Sequence, residues 1–261
     1  MAAESIKKTF WVALCLCVVC SILVSTTAVV LKPRQDENRS LDKKKNLLIA
    51  AGLIQGQERD REVIENAFAA VEGRVVDLAT GKMVDDIDPT IFDPRQAAQG
   101  PDSYSIPPKK DLAKLRNRAK QAVIYLVKKD DKISQVVLPI HGKGLYSTLY
   151  GFLALGVDTK TVQGFAFYEQ GETPGLGGEV ENPAWKAQWR GKVLYDQDWR
   201  PNIQVVKGGV NPASPEAIHQ VDAISGATMT SRGVENLLHY WLGDDGYGRF
   251  LTIFRNQRGV K

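Results

Sequence analysis

Residues 10–31 form a run of 22 amino acids without a charge, and that run fixes what the start of the chain can become. As a helix it spans roughly 33 Å, enough to cross a bilayer core of about 30 Å. Lys7 and Lys8 flank one end; Lys32 and Arg34 flank the other. A cleaved signal peptide is an alternative, but it calls for a shorter apolar region and a small-residue cleavage site, which residues 25–28 imitate. A lipoprotein anchor at Cys20 is disfavoured, because Val19 occupies a position that normally holds a small residue. The reading adopted is a short N-terminus over residues 1–9, a retained transmembrane helix over 10–31, a polar linker over 32–40 and one large domain over 41–261.

The three cysteines, Cys15, Cys17 and Cys20, all lie in the apolar run, so a disulfide framework is excluded and they are expected to face lipid or neighbouring helices. The side of the membrane is open at this point. Lys and Arg are denser just after the run, with Arg39 and residues 43–45 added to Lys32 and Arg34, and the positive-inside rule then puts the domain in the cytoplasm. A cysteine-free domain, however, suits an oxidising compartment such as the periplasm. The net charge is only +4 over 261 residues and the basic residues are scattered, which gives nucleic-acid binding little support.

Beyond the linker, helices are expected over 41–51, closed by Gly52, and over 59–71. A strand follows over 74–78, then an Asp- and Pro-rich loop over 85–108 and a helical turn over 111–118. Residues 122–127 and 133–138 are apolar, β-branched runs around a charged turn, which predicts a hairpin. A glycine-bearing loop is expected over 139–144. A second strand pair covers 146–155 and 162–167, and a second glycine-rich loop 169–181. Asn182-Pro183-Ala184 has the form of a helix start with Pro at its first position, and Trp185 and Trp189 share a face there. Residues 191–194 and 203–206 add strands, and the tail after Gly243 adds a last helix. Hairpin-paired strands with helices grouped outside them argue for an α+β class.

Val234, Leu237, Leu238 and Trp241 give the clearest amphipathic helix of the soluble part. It opens on Ser225-Gly226-Ala227-Thr228-Met229-Thr230-Ser231. A small, hydroxyl-rich turn at a helix N-terminus binds anions, since several backbone N–H groups lack partners and the dipole end is positive. Spacing alone favours an ordinary capping run, with Thr228 as the cap. Glu172-Thr173-Pro174-Gly175-Leu176-Gly177-Gly178 lets the backbone approach a flat ligand; it is neither a P-loop nor a dinucleotide fingerprint. Lys143 and Leu145, in His141-Gly142-Lys143-Gly144-Leu145-Tyr146, form a third candidate. The histidines 141, 219 and 239 show no metal-ligand spacing. No metal site and no acid/base pair is assigned.

Residues 225–230 resemble the S-G-A-T-x-T flavinylation motif. With the N-terminal anchor, residues 46–53, the Glu172–Gly177 segment and the chain length, they make the chain similar to the C subunit, the covalent-FMN subunit, of the bacterial sodium-translocating NADH:quinone reductases over nearly its whole length. The resemblance implies a single N-terminal transmembrane helix followed by an FMN-binding domain of antiparallel strands and flanking helices, with a flavin-binding core of about 120–243. It implies FMN joined through its phosphate to Thr230, with Ser225, Gly226, Ala227 and Thr228 shaping the turn. It also implies flavin contacts at Glu172, Thr173, Leu176 and Gly177; Lys143, to meet flavin phosphate or ring oxygens, and Leu145, to line the slot, are added from the third loop itself. A threonine hydroxyl is a poor nucleophile without help, so the family reading includes a separate flavin transferase. The same resemblance implies the inner membrane, a periplasmic domain, and partner subunits with which the complex oxidises NADH, reduces ubiquinone and exports sodium. This chain shows no NADH site, iron–sulfur motif or multi-pass ion path of its own. Two other readings stand beside it: the G subunit of an Rnf-type electron-transport complex, and a membrane-anchored scaffold without redox chemistry.

Overall fold

A computed structural model of the chain describes residues 6–56, 58 and 60–259. The chain divides into two compact units, Met1–Lys43 and Lys44–Lys261. Helix α1 (Ile6–Ala50) runs unbroken through the uncharged segment and beyond it. Its most apolar stretch has a mean hydropathy of 2.6 and is exposed along its length, so α1 is long and apolar enough to cross a membrane. Residues 32–40, expected as a linker, are also helical. Polarity is no obstacle there: most of these residues are fair helix formers, and an exposed helix needs no apolar stripe. Pro33 removes one backbone donor without ending the helix.

The second unit begins with the last turns of α1 and continues as α2 (Arg61–Phe68), β1 (Val71–Asp77), β2 (Met83–Val84), α3 (Pro94–Ala97), β3 (Tyr104–Ser105), β4 (Asn117–Arg118), β5 (Gln121–Lys129), β6 (Lys132–Lys143), β7 (Thr148–Gly156), β8 (Val162–Glu169), α4 (Pro183–Ala187), β9 (Gln204–Val206), β10 (Gln220–Asp222), α5 (Thr228–Leu242) and α6 (Gly248–Gln257). Six strands form one antiparallel sheet in the order β2-β1-β5-β6-β7-β8. The expected α+β class holds.

Strand alternation divides the sheet between two cores. Ile124, Leu126, Val136, Leu138, Ile140, Leu153, Phe165 and Phe167 point to the side covered by α5 and α6, where Val234, Leu237, Leu238, Trp241, Phe250 and Leu251 meet them. Val127, Val137, Phe152, Ala154 and Ala166 point the other way, towards Leu47 and Ala50 at the end of α1 and Phe68 of α2. Trp185 and Trp189 pack edge to face, centroids 5.4 Å apart, and Trp189 lies 4.7 Å from the Phe165 ring. Asn182 caps α4 through its side chain, with Pro183 at the first position, as its sequence requires.

Several expectations change. Residues 139–143 are strand, because β6 continues past the end of its pairing with β5 at Val137 and keeps β7 as its neighbour. Pro139 therefore sits where the strand is paired on one side only and no second ladder needs its missing N–H. Residues 111–118 form turns ending in β4, and positive φ angles at Lys114 (54°) and Arg116 (66°) rule out a helix. The second helix ends at Phe68, and Val71 opens β1 opposite Val127; Arg59 lies outside the described residues. The strand expected at 191–194 reduces to a single bridge between Val193 and Thr161. Strand β10, which pairs in parallel with β9, was not foreseen.

Candidate functional site

Helix α5 starts without a side-chain cap. Its N-cap position is Ala227, preceded by Gly226 at φ 71°, the left-handed conformation that glycine adopts freely. Thr228, expected as the cap, is exposed and makes no such bond. Ser231 closes the turn instead: its Oγ accepts from the Ile224 N–H at 3.0 Å, and its own N–H donates to Ala227 O. Just upstream, Asp222 is held by α4. Its carbonyl accepts from Trp185 Nε1 at 2.8 Å, and its N–H donates to Gln188 Oε1 at 3.0 Å. Among the described residues no side chain caps the first N–H groups of α5.

The helix lies close against the end of β6. A Cβ on Gly142 would stand 2.5 Å from Leu237 Cβ, and one on Gly233 would stand 2.5 Å from Lys143 O. Thr230 belongs to this inward face, four residues before Val234, and is 1% exposed. Its hydroxyl donates a 2.6 Å hydrogen bond to Glu172 Oε2.

Glu172 is itself 5% exposed and is held from the turn between β6 and β7. Oε1 accepts from Tyr146 N at 3.0 Å, Ser147 N at 2.9 Å and Ser147 Oγ at 3.1 Å; Oε2 accepts from Leu145 N at 3.1 Å. Burial opposes its ionisation, but the bonds from Thr230 and from the Ser147, Tyr146 and Leu145 N–H groups outweigh it and hold the carboxyl below its usual range. Ser147 also ties the two loops together, since its Oγ accepts from Gly171 N at 2.8 Å.

Glycines let the chain close tightly around this pair. A Cβ on Gly177 would stand 2.6 Å from Thr230 Oγ1, and one on Gly144 would stand 2.7 Å from Glu172 Oε1. At Gly226 it would reach 2.9 Å from Leu176 Cδ2. Leu145, Tyr146, Leu176 and Met229 are large apolar side chains left exposed around the buried pair. The structure therefore brings together Thr230, Gly226, Ala227, Glu172, Leu176, Gly177 and Leu145. Lys143 is exposed and its Nζ bonds Tyr146 O at 3.1 Å, tightening its own turn. Thr173, Ser225 and Thr228 are exposed near the rim; Thr173 O accepts the Leu176 and Gly178 N–H groups and shapes the loop.

Thr230 lies at a helix start yet is buried. The signal was present: Thr230 precedes Val234 by one helical turn and so continues the apolar face. Ser147, just past the third candidate segment, was not singled out, because its part depends on a loop 25 residues away that spacing does not reveal. His239 is tied to Ile203 O at 2.7 Å.

Comparison with known proteins adds to this geometry. A sequence model of the FMN-binding domain matches residues 144–243. The chain is 49% identical over 253 residues to NqrC, the C subunit of the Na(+)-translocating NADH-quinone reductase, of Pseudomonas aeruginosa, covering 97% of each chain. The protein of the same name from Vibrio anguillarum is 47% identical, with 97% of this chain and 96% of the relative covered. Among solved structures, that of Shewanella oneidensis NqrC is similar at a TM-score of 0.74 and 40% identity, over 82% of this chain and 96% of that one. The structure of the corresponding protein from Parabacteroides distasonis is similar at a TM-score of 0.66 and 27% identity, over 85% and 97%.

Proposed function

Because this chain belongs to the NqrC family, the C subunits of the Na(+)-translocating NADH-quinone reductases, we propose that it is the component that carries electrons through FMN held covalently on Thr230. It is the component anchored by α1, and it works with partner subunits that supply the NADH site, the quinone site and the sodium path.

The residues fit such a group. A phosphate joined to Thr230 Oγ1 would be held by the uncapped start of α5, where N–H groups and the positive dipole end favour one negative charge. Gly177 lets the loop backbone pack directly against that oxygen, where any side chain would clash. Leu145, Tyr146, Leu176 and Met229 supply exposed apolar and aromatic surface for a flat ring. When bound, the isoalloxazine supplies the redox chemistry. The chain's own part is to tether the phosphate, limit the ring to one rim and shield the attachment bond from water.

The single observation that carries this reading is the Thr230 hydroxyl, buried beneath an uncapped helix start and enclosed by glycines. Thr228 and Ser225, the competing hydroxyls of the motif, are exposed, and no side-chain hydrogen bond holds either of them in a site. The test is in-gel fluorescence of the denatured protein. Wild type, Ser225→Ala and Thr228→Ala retain flavin fluorescence, Thr228→Ala at lower yield if the transferase reads that side chain. Thr230→Ala has none. A fluorescent Thr230→Ala band contradicts the assignment. Attachment is carried out by a separate flavin transferase, and the domain faces the periplasm; both readings rest on the family and are open to the experiments below.

A further inference from the structure

A threonine hydroxyl does not attack phosphorus at a useful rate unless a base takes its proton. The Thr230 proton already points at one: Oγ1 donates to Glu172 Oε2 at 2.6 Å inside a buried site. We propose that Glu172 is the base that removes the Thr230 proton during attachment of FMN, so that the acceptor chain supplies a catalytic group for its own modification. This rests on Thr230 being the attachment residue.

The geometry separates the two events at Oγ1. The proton leaves towards Oε2, while the lone pairs, pointing elsewhere about a roughly tetrahedral oxygen, remain for phosphorus. The carboxylate is fixed independently of the loop that follows it. Its anchors are the backbone N–H groups of Leu145, Tyr146 and Ser147 and the Ser147 hydroxyl, all in the turn between β6 and β7. Because Thr230 is buried against Gly177, a flavin donor reaches it only if that loop moves aside, and the anchors of the carboxylate lie outside residues 173–178. Of the groups bonded to Glu172, only Thr230 Oγ1 loses its hydrogen in the reaction.

The donor must be a flavin nucleotide activated as a phosphoric anhydride, such as a flavin dinucleotide, because a phosphomonoester offers no competent leaving group. A bond forms between Thr230 Oγ1 and the flavin-side phosphorus. The anhydride P–O bond breaks, and its electron pair leaves with the nucleoside monophosphate. The proton goes to Glu172 Oε2, and nothing is oxidised or reduced. Glu172 holds the proton only in passing: the backbone N–H groups of Leu145, Tyr146 and Ser147, which keep this carboxyl below its usual range, remain after attachment and favour its return to the carboxylate.

The experiment follows covalent flavin incorporation into the full-length chain by purified flavin transferase and flavin adenine dinucleotide, read by in-gel fluorescence. Glu172→Gln keeps the shape but takes no proton, and its incorporation rate should fall about 10²-fold or more, the usual scale of general-base catalysis. Its fold is checked by circular dichroism and melting. Glu172→Ala, which opens space for a small anion, is assayed with formate and with nitrate. Both are planar monoanions that accept hydrogen bonds, but only formate is basic enough to take the proton. Restoration by formate and not by nitrate is expected. Gln at the wild-type rate, equal restoration by both anions, or restoration by neither overturns the proposal. Flavin found on a residue other than Thr230 in the wild-type protein sinks the attachment reading instead, and the two failures are told apart by mapping the adduct.

Discussion

Thr230 and Glu172, 58 residues apart in sequence, are joined by a 2.6 Å hydrogen bond in which the hydroxyl donates to a buried carboxylate. The bond links the first turn of α5 to the loop after β8, so Thr230 has a structural part before any cofactor arrives. Removing one donor from a buried charged acceptor costs about 1.5–3 kcal/mol. Thr230→Ala and Thr230→Val should therefore fold but lose stability on that scale, while Thr230→Ser stays near wild type. Urea melts of unloaded proteins check this; a loss below about 0.5 kcal/mol in both variants would show that the bond contributes little.

Gly177 and Gly175 lie two residues apart and should behave oppositely. A methyl group on Gly177 meets Thr230 Oγ1 at 2.6 Å and Glu172 Oε2 at 2.8 Å. Gly177→Ala should destabilise by about 1–3 kcal/mol, as overpacking does, and should sharply lower covalent flavin. Gly175 has φ 74° and open space around it, so Gly175→Ala costs about 1 kcal/mol of backbone strain and leaves loading intact. Equal flavin content in the two variants would show that the close packing beside Oγ1 is not needed.

That contrast also marks how much the sequence disclosed. Residues 225–230 pointed to Thr230, and the apolar spacing from Val234 to Trp241 gave α5. The β5–β6 hairpin was legible because two β-branched runs flank a charged turn. The inner half of β6 was not, since Pro139 and Gly142 read as loop. Pro139 is tolerated only because β5 has already stopped pairing there, and Gly142 is required only because Leu237 comes to 2.5 Å from its Cβ position. Both reasons are long-range. The same holds for Glu172: its sequence suggested a ring contact, and only the folded turn at Leu145–Ser147 turns it into the partner of Thr230.

His141 should leave a mark on stability against pH. It stacks on Tyr150 at 5.3 Å and packs on Trp241 at 5.0 Å. Burial first, and the Arg95 charge second, push its pKa down to about 4. In the unfolded chain an ordinary histidine titrates near 6.5. Between the two values the unfolded state binds a proton that the folded state refuses. Stability from this residue is therefore complete above about pH 6.5, declines as pH falls, and is exhausted near pH 4. The loss is at most about 3 kcal/mol. The stability of wild type minus that of His141→Gln should shrink by up to that amount between pH 7.5 and 4.5. A difference that stays constant would show that His141 titrates normally.

Sidedness divides the family reading from the local charge count. With the domain in the periplasm, protease added to intact spheroplasts digests residues beyond α1, while inverted vesicles protect them. The mature chain should also keep residues 10–31. Protection in spheroplasts, or a mature N-terminus near Ala28, would overturn the orientation or the retained anchor respectively.

The most direct test of the account is the site of the flavin itself. Trypsin, cutting after Lys207 and Arg232, releases a peptide that contains Ser225, Thr228, Thr230 and Ser231 together. Fragmentation mass spectrometry of that peptide from the native protein should show one FMN, joined with loss of water, on Thr230. An adduct on Ser225, Thr228 or Ser231, or an unmodified peptide from protein whose denatured band is fluorescent, would contradict it.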